Sequence, residues 1–216
     1  MNQTVDPRQR ELLAAASELQ LALDASTADR LLRYLDLLHR WNATYNLTAV
    51  RDPQEMLSQH LFDCLAVITP LRRELGRHAR VLDVGSGGGL PGAVIALVCA
   101  ELDVVCVDTV GKKAAFIRQA AAELKLPNLR AEHARVEDLA TPPFDLITSR
   151  AFSSLADFVR LTQQHLAPGA VWMAMKGKRP DAEIATLPAG VEVFHVEPLT
   201  VPGLGAERCL VWMRPR

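Results

Sequence analysis

The sequence predicts an α/β protein in which a doubly wound, seven-stranded sheet follows an N-terminal helical extension. Apolar residues before position 78 recur at helical spacing. From residue 80 onward strand and helix patterns alternate, which is typical of a parallel sheet covered on both faces. A glycine-rich turn at residues 85–89 joins the first strand to the next helix. We therefore divide the chain into an extension, residues 1–78, and a sheet domain, residues 79–216.

Three helices are predicted in the extension. The first covers residues 7–23 and the second residues 28–41. The third begins at Asp52, a capping residue, with Pro53 in the first turn and Glu55 near the positive end of the helix dipole. We expect it to run to about residue 68.

The sheet domain is predicted to contain three helices and seven strands. The helices are at residues 91–100, 111–124 and 153–165, with Pro91 in the first helical position. Only a link rich in proline and glycine separates the last two strands, so these should pair antiparallel and leave one strand reversed near the edge. The strands are expected at residues 80–84, 103–107, 129–133, 145–149, 171–176, 191–197 and 209–214.

Composition narrows the class of protein. With 216 residues the chain suits one buried domain plus an extension. A formal net charge of −1 means that any nucleic-acid partner would be held by local basic patches. We expect no signal peptide, membrane span or metal site, and a cytoplasmic location. The scattered cysteines fit reduced core residues, namely Cys64, Cys99, Cys106 and Cys209.

The glycine-rich turn indicates a cofactor site. Residues 87–92 satisfy the G-x-G-x-x-G pattern of dinucleotide enzymes, but the first glycine after the strand is Gly85. Counted from Gly85 the pattern is Gly-x-Gly-x-Gly, with Asp83 two positions earlier, which is similar to the first motif of S-adenosylmethionine-dependent methyltransferases. Asp83 could accept a hydrogen bond from the ammonium group of that cofactor. The alternative, an NAD-dependent oxidoreductase, rests only on the misplaced pattern.

A second carboxylate follows the second strand. Asp108 lies some 20 residues beyond the turn, where an acidic residue can bind ribose hydroxyls. It could instead cap the helix that starts near Gly111, or do both.

Short motifs follow one another along nearly the whole chain. They are Trp41-Asn42, Tyr45-Asn46-Leu47-Thr48, His60 with Asp63, Asp83-Val84-Gly85 with Gly87, Gly89-Leu90-Pro91-Gly92, Asp108 with Gly111-Lys112, Arg135-Val136-Glu137, Ser149-Arg150-Ala151-Phe152 and Lys176-Gly177. This ordered series resembles the ribosomal small-subunit methyltransferase G family, also called glucose-inhibited division protein B. A departure from the family pattern is Gly88, where other members often have proline.

The resemblance implies a Rossmann-like methyltransferase fold and transfer of a methyl group from S-adenosylmethionine to N7 of guanine 527 in 16S ribosomal RNA. It implies a monomer acting on the rRNA or the small subunit, and low-level streptomycin resistance on loss. A non-catalytic or differently targeted RNA-binding protein on the same fold is the alternative. The resemblance implies cofactor contacts for Gly85, Leu90, Val136, Glu137 and Arg150, and together with the residues singled out above the predicted cofactor site is Asp83, Gly85, Ser86, Gly87, Gly89, Leu90, Asp108, Val136, Glu137 and Arg150.

Methylation at N7 needs no general base, because this ring nitrogen has a free lone pair and carries no proton that would have to be removed. Thr141-Pro142-Pro143-Phe144 imitates the loop of amino-group methyltransferases, but it precedes the fourth strand and is interpreted as a turn. No cysteine lies in a loop suited to attack on a pyrimidine.

Arg150, after the fourth strand, is the candidate catalytic residue, with a positioning role. Its guanidinium could bind the cofactor carboxylate, a phosphate or guanine O6, and the sequence leaves these open. Phe152 could stack on a base or belong to the core. Asn42, His60 and Asp63 could organise the extension over the site or form a purely structural network. Candidate RNA-binding residues, each of which could equally be a solvated surface residue, are Asn46, Lys112, Lys113, Arg118, Lys176 and Lys178.

Overall fold

A seven-stranded sheet with helices on both faces organises the chain in the computed structural model, which describes residues 6–150, 152 and 154–216. The strand order is β3-β2-β1-β4-β5-β7-β6, and β7 runs antiparallel to both of its neighbours. The prediction of seven strands with one reversed near the edge is confirmed. The strands are β1 (Arg80–Val84), β2 (Asp103–Asp108), β3 (Leu129–His133), β4 (Phe144–Ser149), β5 (Leu166–Lys176), β6 (Val191–Leu199) and β7 (Arg208–Pro215).

Nine α-helices are found among the described residues, and none of them is long and apolar enough to cross a bilayer. A π-helical turn, Leu57–Phe62, and two 3₁₀ turns, Val136–Asp138 and Gln163–His165, complete the helical segments. The α-helices are α1 (Pro7–Glu18), α2 (Ala25–Tyr45), α3 (Pro53–Met56), α4 (Asp63–Leu65), α5 (Ile68–Glu74), α6 (Gly92–Val98), α7 (Gly111–Glu123), α8 (Leu155–Thr162) and α9 (Asp181–Ala185).

The first two helices have different lengths from those predicted. The predicted helix at 7–23 ends at Glu18, because Gln20 takes a left-handed conformation with φ of 54°. The reversal brings Asp24 to the start of α2, where its carboxylate accepts a hydrogen bond from the Thr27 amide at 2.6 Å. Capping at this end, and the left-handed Asn46 at the other, make α2 longer than the predicted 28–41.

The predicted third helix, 52–68, is interrupted. Asp52 caps it as expected, accepting from the Gln54 amide at 2.8 Å. The chain then widens into the π-helical turn before α4, and α5 was not predicted. Periodicity cannot reveal one turn of wider helix, because the apolar face is kept on both sides of it. This turn brings His60 and Asp63 towards the sheet.

Smaller differences occur later in the chain. Pro91 precedes α6 instead of opening it, and the helix begins at Gly92. The predicted start of the helix at 153–165, Ser153, lies outside the described residues, and the described part has α8 capped by the Ser154 hydroxyl. Strand β5 starts five residues before the predicted 171, and α9 was not predicted.

The extension packs on the sheet through α6 and α7. One apolar cluster joins Leu31, Leu35 and Leu38 of α2 with Val81 of β1 and Val104 of β2. The opposite face of the sheet packs against α8 in a separate cluster. The extension therefore shares a core with the sheet domain.

Candidate active site

Two cavities, each of about 430 Å³, open beside the carboxyl ends of the strands, where α/β sheets bind ligands. We name them the turn cavity and the polar cavity. The turn cavity is lined by Val84, Gly85, Val107, Asp108, Thr109, Val110, Lys113, Ala134, Arg135, Val136, Glu137, Phe152 and Leu161. The polar cavity is lined by Thr48, Val50, Gln59, His60, Asp63, Arg150, Met175, Lys176, Gly177 and Arg208.

The glycine turn forms one wall of the turn cavity. Gly85, Gly87 and Gly89 have φ values of 66°, 58° and 86°, a backbone region that residues with a side chain rarely adopt. The Gly85 amide donates to the Val107 carbonyl at 2.9 Å and so attaches the turn to β2. The first glycine after β1 is therefore Gly85, in the register that the sequence favoured.

Asp108 lies at the centre of this wall and is 6% exposed. Its two carboxylate oxygens accept from the Gly87 amide at 3.0 Å and the Val110 amide at 2.9 Å, with the Lys113 ammonium 3.7 Å away. Val110 is the residue before α7, so Asp108 fixes the entry to that helix together with the glycine turn. A carboxylate held on both sides presents its free lone pairs to the cavity in one orientation.

Asp83 points away from the turn cavity, towards α6. Its side chain is fully buried, Oδ2 accepts from the Gly92 amide at 2.9 Å, and Oδ1 has no hydrogen-bond partner among the described residues. Burial raises the pKa of this carboxyl to about 7. The role of Asp83 as acceptor of an ammonium group stays a prediction, and its position also suits a brace between β1 and α6. The buried hydroxyl of Ser86, in the glycine turn, also has no hydrogen-bond partner among the described residues.

The pKa of Asp83 leads to a pH-dependent stability. Between the ordinary value of 3.8 and about 7, the folded protein holds a proton that the unfolded chain has released. The contribution of Asp83 to the free energy of unfolding is therefore complete at low pH and is lost as the pH rises to about 7. The slope approaches about 1.4 kcal/mol per pH unit.

Urea unfolding of the wild type and Asp83→Asn without cofactor, from pH 4.5 to 7.5, tests this expectation. Asparagine keeps an oxygen for the Gly92 amide but does not titrate, so the wild type should lose stability relative to the variant as the pH rises. A difference between the two proteins that stays constant with pH would contradict the prediction.

The remaining wall of the turn cavity combines apolar and acidic groups. Val136 is 5% exposed and lies in a 3₁₀ turn after β3. Glu137, in the same turn, accepts from the Arg135 guanidinium at 2.8 Å, and this hydrogen bond lowers the pKa of Glu137. Apolar surface next to fixed carboxylates suits a nucleoside, with its ring on the former and its hydroxyls on the latter. Leu90 is buried and does not line the cavity.

The polar cavity lies between the extension and the ends of β4, β5 and β7. Arg150 donates to the Gln59 carbonyl at 3.1 Å and to Asp63 Oδ2 at 3.4 Å, and Arg208 donates to Asp63 Oδ1 at 2.9 Å. Lys176 forms an ion pair with Glu183 at 2.8 Å. The cavity is thus rich in cationic donors, which suit phosphate or carbonyl oxygens.

His60 is a neutral member of this cavity. Its Nε2 lies 2.9 Å from the Thr48 hydroxyl. Burial and the nearby Arg150 charge lower the pKa of His60 to about 4, so the imidazole ring is neutral near pH 7. Asn42 holds the same loop, since its side chain binds the Thr48 amide at 2.9 Å and the Val50 carbonyl at 3.2 Å.

A hydrogen bond links the ends of the two strands beside which the cavities open. The Ser149 hydroxyl donates to the Val84 carbonyl at 2.8 Å. Val84 precedes Gly85 in the turn cavity, and Ser149 precedes Arg150 in the polar cavity. The two cavities therefore begin at the carboxyl ends of neighbouring parallel strands, β1 and β4.

The structure distributes the predicted site residues over both cavities and the surface. Arg150 lines the polar cavity, whereas Gly85, Asp108, Val136 and Glu137 line the turn cavity. Asn46 is exposed and accepts from Arg51 at 3.2 Å, and Arg118 donates to the Ala131 carbonyl. Lys112 and Lys178 are exposed. Lys113 forms an ion pair with Asp108, and Lys176 forms one with Glu183.

Sequence reasoning missed Gln59 and Arg208. Arg208 opens the last strand, 145 residues from Asp63, and no local motif marks it. Of the segment interpreted as a turn, residues 141–143 are irregular and Phe144 is already the first residue of β4. The carbonyls of Pro142 and Pro143 accept from the Arg80 guanidinium at the amino end of β1, the edge opposite the cavities.

In a comparison with known proteins, the matching family model and two of the most similar relatives have the same name. A family model described as rRNA small subunit methyltransferase G matches residues 27–211. A protein named ribosomal RNA small subunit methyltransferase G from Leptothrix cholodnii is 61% identical over 213 residues, 98% of each chain. A protein of the same name from Methylibium petroleiphilum is 59% identical over 216 residues, 97% of this chain and 98% of its own.

Solved structures share the fold at low sequence identity. TrmN from Thermus thermophilus superposes with a TM-score of 0.58 at 22% identity, over 74% of this chain and 53% of its own. An S-adenosylmethionine-dependent methyltransferase from Thiobacillus denitrificans, solved with S-adenosyl-L-homocysteine, gives 0.52 at 13% identity, over 71% and 91%. The predicted fold class, a Rossmann-like methyltransferase sheet, is confirmed.

Proposed function

Because this chain belongs to the rRNA small subunit methyltransferase G family, we propose that it methylates N7 of guanine 527 in 16S ribosomal RNA. S-adenosylmethionine is the methyl donor. The observation that supports this activity best is the pair of cavities at the carboxyl ends of the adjacent strands β1 and β4, one lined by Gly85 and the other by Arg150. The nicotinamide alternative has no support, because the chain is a member of a methyltransferase family and the first glycine of its turn is Gly85.

The turn cavity fits the cofactor. Asp108 would bind the ribose hydroxyls, Val136 would contact the adenine ring, and the Gly85 backbone would lie close to the amino acid portion. Near this turn, Asp83 Oδ1 and the Ser86 hydroxyl are buried polar atoms that have no hydrogen-bond partner among the described residues. When bound, the cofactor supplies an electrophilic methyl group on its sulfonium.

The polar cavity fits the acceptor. Guanine presents two acceptors, O6 and N7, on one edge, and N7 has to remain free to receive the methyl group. We propose that Arg150 donates to O6 or to the adjacent phosphate and holds N7 in line. The role of Arg150 in the reaction is thus to position the base, and positioning of this kind can supply several kcal/mol.

The neutral His60 agrees with an acceptor that has no proton to release. A reaction that needed a general base near neutral pH would be served by a group with a pKa closer to 7. Here the pKa of His60 is about 4, and its Nε2 is engaged with Thr48. We propose that His60 orders the Thr48 loop and takes no part in proton transfer.

Contacts with the rest of the RNA are proposed for side chains around the two cavities. With a formal net charge of −1 the chain attracts RNA through local patches, of which Lys112 and Lys178 are exposed members. The target guanine should lie in a loop or an opened region, because an A-form major groove is too deep and narrow to read. We propose a monomer that acts in the cytoplasm, where small subunits are assembled.

The test is incubation with labelled S-adenosylmethionine and 30S subunits that lack their native modification, followed by mapping of the labelled nucleotide. Label on N7 of guanine 527 is the expected result. Label on another nucleotide would disprove the target, and absence of label on both subunits and free rRNA would disprove the activity. Retention of the cofactor without label would favour an RNA-binding role.

A further inference from the structure

One buried carboxylate lies between two arginines in the polar cavity. Asp63 is 3% exposed, and its two oxygens accept from different guanidinium groups. Oδ2 lies 3.4 Å from Arg150 Nη1, and Oδ1 lies 2.9 Å from Arg208 Nε. Asp63 belongs to the extension, whereas the arginines follow β4 and begin β7.

The two guanidinium groups retain donors for a ligand. Their side chains are 27% and 26% exposed, and both line the polar cavity. A guanidinium has five N–H donors. Among the described residues, Asp63 and Gln59 both accept from Nη1 of Arg150, while Asp63 and the Glu207 carbonyl accept from Nε and Nη1 of Arg208. Nη2 of each arginine has no partner in the described part of the chain and can donate to a ligand.

The positive charges of the two arginines explain why a carboxylate lies between them. Two cations that share a cavity repel each other, and a carboxylate between them offsets the repulsion and fixes each planar group. The π-helical turn before α4 brings Asp63 to this position. A feature of this kind inside a helix is frequently associated with a functional site.

We propose that Asp63 is a positioning residue of the methyl transfer, which orients Arg150 and Arg208 towards the acceptor so that the extension completes the acceptor site. The inference rests on the proposed function, because it assigns the polar cavity to the acceptor nucleotide. Asp63 does not itself contact the acceptor and acts through the two arginines.

Asp63→Asn tests the proposal, since asparagine keeps the size and removes the charge. We expect kcat for total label transfer to 30S subunits to fall by about tenfold or more, as small misplacements at a reacting centre do. The Kd for S-adenosylmethionine, measured by calorimetry, should stay within about twofold of the wild type, because Asp63 does not line the turn cavity.

Asp103→Asn is the matched control. Asp103 also accepts from two arginines, Arg80 and Arg130, but at the amino end of β2, away from both cavities. This variant should keep its kcat even if its melting temperature falls as far as that of Asp63→Asn. Equal losses of kcat in the two variants would overturn the proposal, because they would indicate a general loss of stability.

A double-mutant cycle with Arg150→Lys shows whether Asp63 acts through Arg150. Lysine keeps the charge but lacks the planar group that Asp63 orients, so Asp63→Asn should cost much less in this background. If the fold losses in kcat of the two single variants multiply in the double variant, the two residues act independently and the proposal is overturned. Total label is counted, so transfer to a nucleotide other than guanine 527 disproves the target without affecting this test. Absence of any transfer by the wild type disproves the activity and this inference together.

Discussion

Gly92→Ala is expected to destabilise the protein by about 3 kcal/mol, the upper end of the range for overpacking a core. A Cβ at Gly92 would overlap Cys106 Sγ and would lie 2.9 Å from Asp83 Oδ2 and 3.0 Å from Asp83 Cβ. All of these atoms are buried, so the β1–α6 contact has to open. Alanine gains about 1 kcal/mol of helix propensity over glycine, which is too little to compensate.

The loss is measured by urea unfolding and by the melting temperature, which should fall by roughly 6–12 °C for a chain of this length. Gly190→Ala is the control, because a Cβ there meets nothing within 4 Å. Cys106→Ala should restore part of the stability of Gly92→Ala, since it removes the sulfur that the new methyl group meets. Equal melting temperatures for Gly92→Ala and Gly190→Ala would show that β1 and α6 are packed less closely than described.

Asp108→Asn is expected to weaken S-adenosylmethionine binding by roughly ten- to hundredfold. Hydrogen bonds to a charged group contribute about 1.5–3 kcal/mol each, and asparagine removes the charge while keeping the shape. It also offers one acceptor oxygen where Asp108 uses two, so either the Gly87 or the Val110 amide loses its partner. The change therefore affects the ribose contact and the glycine turn together.

Titration calorimetry with S-adenosylmethionine measures this effect, and Asp145→Asn is the control. Asp145 also accepts from a backbone amide, that of Arg80 at 2.7 Å, but at the start of β4 and far from the turn cavity. Wild-type affinity in Asp108→Asn would remove Asp108 from the cofactor site. Comparable weakening in Asp145→Asn would attribute the loss to stability instead of the site.

Local chemistry made the turn cavity predictable. A strand followed by Gly85, Gly87 and Gly89 requires a backbone conformation that only glycine adopts freely, and the structure has positive φ at all three. Asp108 could be expected nearby because neighbouring parallel strands end at the same edge of the sheet. The family motifs then placed Val136 and Glu137 in the same cavity.

The polar cavity could be predicted only in part. The sequence singled out Arg150 as a positioning residue without deciding what it binds, and it left open whether His60 and Asp63 organise the site or form a purely structural network. Their arrangement depends on the π-helical turn, which does not change the apolar pattern of the helix. The role of Arg208 could not be predicted, because the residues next to it in sequence do not indicate that it contacts Asp63 in the folded chain.

The positions of the strands along the chain, the antiparallel pairing of the last two and the conformation of the glycine turn follow from the sequence, since these depend on periodicity, link length and backbone sterics within a few residues. Tertiary structure alone decided where Asp63 meets Arg150 and Arg208, and how Asp83 comes to be buried against α6. Contacts of this kind join residues far apart in the chain, and their energies depend on the burial and distance that packing sets.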